Sequence, residues 1–134
     1  MAAGLPTEGR NTRTSRAGDL ARKDVATCSL DERLDDVRLR LNSRGSDVAV
    51  VVNHERVVLG ILREKELSQL GELTVAQAMQ PGPSTFRPYV SAQEMADFMT
   101  EHELESSPIT TYDGKLVGLL YQADAVREAR KQAA

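Results

Sequence analysis

A chain of 134 residues, 40% hydrophobic and 28% charged, has the size of one domain or of two halves each too small to stand alone. With 4% aromatic residues and no Trp, its core must be built from Val, Leu, Ile, Ala and Met. A net charge of −3 argues against nucleic acid as the main partner, and no run approaches the ~20 apolar residues of a membrane span.

In chain order, residues 1–16 hold Gly, Thr, Ser, Pro and Arg with almost nothing apolar, and read as a disordered tail. Its first residues lack the apolar core of a secretion signal, and the single cysteine fits a reducing cytoplasm. Arg10, Arg13 and Arg16 make the tail weakly basic, which suits a solvated segment better than a DNA-contacting arm. A short helix is predicted over Ala17–Arg22 and a brief strand over Val25–Cys28. Leu34, Val37 and Leu41 follow at i, i+3, i+7, one buried stripe on a longer helix. Val48–Val52 and Val57–Leu62 read as strands joined by Asn53-His54-Glu55-Arg56, a turn without glycine and therefore expected to be wide. A helix over Glu64–Leu70 closes this half, and Gly71-Glu72-Leu73-Thr74 is the joint.

The second half repeats the order. A short helix (Val75–Met79) and a strand (Ser84–Arg87) lead to a helix with Ala92, Met95 and Met99 inward, opened by a capping box at Ser91-Ala92-Gln93-Glu94. Strands Ile109–Tyr112 and Lys115–Leu120 flank Tyr112-Asp113-Gly114-Lys115, where glycine supplies the positive φ of a tight turn. A helix over Gln122–Lys131 ends it. Residues 17–67 overlie residues 75–125 at an offset of 58 without a gap, although only Thr27/Thr85, Gly60/Gly118 and Leu62/Leu120 are identical. Residues 17–71 and 72–131 are thus two copies of one unit, an α+β architecture whose small sheets carry helices on one face. Clefts between such halves are where small ligands tend to bind.

The second copy carries Ser107-Pro108-Ile109, then Asp113-Gly114-Lys115-Leu116-Val117-Gly118-Leu119-Leu120, then Tyr121-Gln122-Ala123-Asp124. The first carries the looser Ala49-Val50-Val51, Val57-Val58-Leu59-Gly60-Ile61-Leu62 and Arg63-Glu64-Lys65-Glu66. In order, spacing and duplication the chain resembles a tandem pair of cystathionine-β-synthase (CBS) domains, the Bateman module. That resemblance implies two pseudo-symmetric motifs and a regulatory role without catalysis. The implied ligand is AMP, ADP, ATP or S-adenosylmethionine, held between the copies. It also implies that the closing carboxylate receives the ribose hydroxyls, which makes Asp124 the strongest ligand candidate and Glu66 its weaker counterpart. Arg127, one turn beyond Asp124, would meet a phosphate, and the backbone around Thr85, Phe86, Arg87, Pro108 and Ile109 would frame the base. The sequence departs from the family where a Ser or Thr assists with ribose or phosphate: Tyr121 and Arg63 stand there. Tyr121 either occludes the cleft or stacks in it, and Arg63 either meets a phosphate or pairs with Glu66 or Glu64.

Cys28 reads as a small buried hydrophobe, and His54 and His102 lack partners at metal-ligand spacing. No nucleophile motif or phosphate loop is present, and Asp35 and Asp36, adjacent on a helix, point apart. The expected protein is therefore a cytoplasmic sensor acting through another protein. The alternative is a dimeric interaction scaffold whose clefts have lost their ligand. Leu39, opposite the Leu34 stripe, and Phe98, flanking the Met95/Met99 stripe, suggest a second apolar surface and a homodimer through it.

Overall fold

The computed structural model describes residues 14–133. Of the expected tail only Thr14, Ser15 and Arg16 fall within this range; Arg10 and Arg13 lie outside it. Arg16 bridges Ser91 and donates from Nη1 to the Tyr89 carbonyl at 2.8 Å.

The first copy comprises α1 (Ala17–Leu20), β1 (Thr27–Cys28), α2 (Leu34–Arg44), β2 (Ala49–Val52), β3 (Val58–Leu62) and α3 (Glu64–Leu67). The second comprises α4 (Val75–Ala78), β4 (Gln80–Pro81), α5 (Ala92–Glu101), β5 (Ser106–Thr110), β6 (Leu116–Tyr121) and α6 (Gln122–Ala133). The predicted stripes on α2 and α5 are buried as expected. Gly45, in the left-handed region at φ 68°, stops α2, and the Ser91 hydroxyl caps α5 by accepting from Glu94 N at 3.1 Å.

Each copy lends its first helix and the residues after it to the other. β1–β4 form one sheet in that order, so β4 of the second copy edges the sheet of the first. Reciprocally, Arg22 of the first copy bridges Leu119 on β6. Val75 and Ala78 of α4 pack into the first copy's core, while Ala17 and Ala21 pack into the second's. The identical Gly60/Gly118 pair marks where these crossing segments lie closest. A Cβ on Gly60 would stand 2.9 Å from the Gln80 carbonyl oxygen, and one on Gly118 2.7 Å from that of Arg22. Val48, Val50 and Ile61 meet Leu116 and Leu119 in a third cluster that seals the two sheets together. On the pseudo-dyad Val57 bridges Lys115, with Val58 N to Gly114 O and Leu116 N to Arg56 O both at 2.9 Å.

Three expectations need correction. The first hairpin is as tight as the second: Arg56 takes Gly114's place at φ 67°, and Asn53 Oδ1 accepts from Glu55 N at 2.9 Å and Val57 N at 3.0 Å. The strand expected at Ile109–Tyr112 is β5, starting at Ser106, because all five residues of Ser106–Thr110 are buried. Finally, the strand expected at Ser84–Arg87 shrinks to one parallel bridge, Phe86 to Ile109. In the first copy Val50 N bonds to Ala26 O at 3.0 Å, but its counterpart Pro108 has no N–H. Ser107 compensates by donating its hydroxyl to Ser84 O at 2.8 Å.

Candidate functional site

The exchange leaves two clefts between the copies, related by the same offset. The larger, about 860 Å³, is lined by Arg63 and Glu66 from the first copy and by Met79, Gln80 and Glu105 from the second. The smaller, about 420 Å³, is lined by Arg22, Val25, Ser46 and Asp47 from the first and Tyr121 from the second. Gln80 and Arg22, Glu105 and Asp47, Arg63 and Tyr121 are equivalent pairs, so one backbone frame carries two chemistries.

At the smaller cleft, the bend from β6 into α6 sets Tyr121 beside Asp124. Arg22, held by backbone bonds to Leu119, lays its guanidinium over the Tyr121 ring at 4.3 Å. Its Nε and Nη2 each stand 3.1 Å from Asp124 Oδ2, and Arg127 takes Oδ1. Burial pushes the Tyr121 phenol above its ordinary pKa, with Arg22 drawing it partly back. The tyrosine thus stacks with a cation at the cleft wall.

At the larger cleft Glu66 Oε1 accepts from Arg63 N at 2.8 Å, so this carboxylate closes the first turn of α3. The Arg63 side chain makes no hydrogen bond to Glu66 or Glu64. Its guanidinium reaches across to Ser106 O at 2.7 Å and Gln80 Oε1 at 3.3 Å, leaving Nε buried without a partner. Burial holds its pKa below the usual arginine value, although the Glu66 and Glu105 carboxylates oppose this.

The structure therefore brings Asp124 and Arg127 together and places Glu66 at the opposite cleft. Asp124 and Arg127 reach the smaller cleft only through Arg22, which lines it, and Thr85, Phe86, Arg87, Pro108 and Ile109 line neither cleft. Thr85 Oγ1 accepts from Arg87 Nη2 at 2.9 Å, Phe86 packs against Phe98, and Pro108 and Ile109 are buried in β5. Sequence reasoning missed Arg22, Gln80, Asp47 and Glu105. Arg22 and Gln80 follow the short leading helices, where no periodicity shows which sheet they will join; the useful signal was the duplicated glycine against which each one lies. Cys28 is buried and its thiol is pushed up to about 12, chiefly by desolvation. Among the described residues no group of three His, Cys, Asp or Glu side chains could hold a metal ion, and no helix is long and apolar enough to cross a membrane.

Comparison with known proteins matches this fold. The chain is 27% identical over 110 residues to the inosine-5'-monophosphate dehydrogenase of Korarchaeum cryptofilum, covering 81% of this chain but 23% of that enzyme. The chain thus spans about a quarter of the length of this relative. The structure of CBSX2 in complex with AMP superimposes with a TM-score of 0.78 at 20% identity, covering 90% of this chain and 99% of that one. The CBS domain pair of protein MJ0100, in complex with 5'-methylthioadenosine and S-adenosyl-L-methionine, gives 0.76 at 15% identity, covering 89% and 98%. The CBS domain family model matches residues 17–72 and again 75–131. The chain, with its exchanged helices and its two dyad-related clefts, belongs to the CBS domain family and carries the domain as a tandem pair.

Proposed function

We propose that this CBS pair is a regulatory module that senses an adenine nucleotide or related adenosyl ligand between its copies and acts through a partner protein, without catalysis of its own. The observation that carries the reading is the Asp124 carboxylate, 13% exposed at the start of α6 and bonded to Arg22, a residue of the cleft to which both copies contribute. A fixed carboxylate accepts from two vicinal hydroxyls, and ribose presents that pair. The ligands named for the CBSX2 and MJ0100 structures all contain an adenosine unit, which supports the same reading. Calorimetric titration with AMP, ATP and S-adenosylmethionine tests it. Asp124→Ala is expected to bind at least tenfold more weakly, a loss of about 1.5–3 kcal/mol of charge-assisted hydrogen bonding. A folded Asp124→Ala protein that binds as tightly as wild type refutes the assignment.

One observation favours a second reading, the ligand-free scaffold. Both Asp124 oxygens are engaged by arginines, and Glu66 is engaged by its own helix. No heat with any of the three ligands at millimolar concentration would select this alternative.

A further inference from the structure

The two clefts carry their cations at different places: Arg63 and Lys65 of the larger correspond to Tyr121 and Ala123 at the smaller. The offset that relates the copies turns Arg22 into Gln80, Arg127 into Gln69 and Arg44 into His102. Three guanidinium groups on one side therefore correspond to two amides and an imidazole on the other.

The Asp124 carboxylate is 13% exposed, whereas the side chains of Arg22 and Arg127 are 59% and 68% exposed. The acid is fixed, and the arginines have room to move. Oδ2 already meets two nitrogens of Arg22 while Oδ1 takes one bond from Arg127, so a ligand diol engages both Asp124 oxygens only by displacing Arg22. Arg22 is the one whose backbone is pinned at the cleft rim, by Arg22 N to Leu119 O at 2.8 Å and Leu119 N to Arg22 O at 3.0 Å. Once displaced it stays at the cleft, without its counter-ion. Two carboxylates line the same cleft, Asp47 and the Asp24 that pairs with Arg44, but both are exposed, and a solvated carboxylate compensates the released Arg22 less than an anion seated beside it. A ligand that brings its own anion supplies it; a neutral ligand does not.

We propose that Arg22 is the specificity-determining residue of the smaller cleft: it leaves Asp124 as the ligand's ribose arrives and pairs with that ligand's phosphate, so that the cleft selects a phosphorylated adenosine over the neutral nucleoside. This rests on the adenosyl-ligand reading above. The larger cleft has Gln80 at the equivalent place, so selection by this residue is confined to the smaller one.

The test is calorimetric titration of the full chain with AMP and with adenosine, in wild type and in Arg22→Gln. Wild type is expected to bind AMP at least tenfold more tightly than adenosine at the site that Asp124→Ala removes. Arg22→Gln should bring the two affinities within about threefold, with adenosine binding unchanged or tighter because Asp124 is released. In wild type the preference should also shrink as ionic strength rises, a measurement that needs no variant. A folded Arg22→Gln protein that keeps the wild-type ratio, or a wild-type ratio near one, overturns the proposal and leaves the adenosyl reading standing. Wild type that binds neither ligand overturns both.

Discussion

Gly118 has no side chain because the crossing chain occupies the space where one would go. A Cβ there would stand 2.7 Å from the Arg22 carbonyl oxygen and 3.0 Å from the Ala21 Cβ, and neither atom is the end of a flexible side chain. Gly118→Ala is expected to cost about 1–3 kcal/mol, the range for overpacking a closed site, and chemical denaturation would show it. Because the displaced segment carries Arg22, the same substitution should also disturb the smaller cleft. An alanine protein as stable as wild type would mean that the segment lies elsewhere. Glycine was needed less where it looked essential by pattern. Arg56 holds the positive φ that Gly114 holds in the other hairpin, and the Asn53 side chain braces the turn in compensation.

Among the elements, β5 holds the clearest case of one residue covering for another. Pro108 removes the backbone donor that Val50 supplies in the first copy, and the Ser107 hydroxyl takes over the bond to the incoming chain. Ser107→Ala should therefore cost about 1 kcal/mol, the worth of one ordinary hydrogen bond. In a Pro108→Val background the cost should be smaller, because the valine N–H restores the donor. A double-mutant cycle measures the difference, and strict additivity would refute the coupling. Much at this scale is legible in the sequence. The stripes of α2 and α5 are local periodicities, whereas Asp124 is singled out by the family resemblance and by no local pattern. The exchange of α1 and α4 is not legible. Which sheet Arg22 or Gln80 joins depends on edges completed far along the chain, not on neighbours. The arginine clamp on Asp124 was hidden for the same reason. The placement of β5 failed differently: the expected strand began after Pro108, whereas the buried run starts at Ser106.

For the whole molecule, the exposed apolar residues bear on association. Leu39 on α2 is 67% exposed, whereas the Phe98 ring is engaged within the chain, edge-on to Phe86 at 4.8 Å and stacked on His102 at 4.0 Å. The proposed homodimer contact therefore falls on Leu39, and Phe98 serves the packing of its own half. Light scattering after gel filtration should give twice the 14.7 kDa of one chain, and Leu39→Glu should shift it toward the monomer. A wild-type monomer at micromolar concentration refutes the dimer, and a dimer indifferent to Leu39→Glu places the contact elsewhere.

The exchanged segments also set an order of events during synthesis. Arg22 leaves the ribosome 102 residues ahead of Asp124, the acid it will clamp. At roughly 5–20 residues per second that is a wait of about 5–20 s. The reverse exchange needs no such delay, since β3 is already made when β4 emerges and can receive it at once. A molecule nearly symmetric in space is thus assembled asymmetrically in time. Its first helix, and the cleft that helix helps to build, are completed only as translation reaches the closing helix.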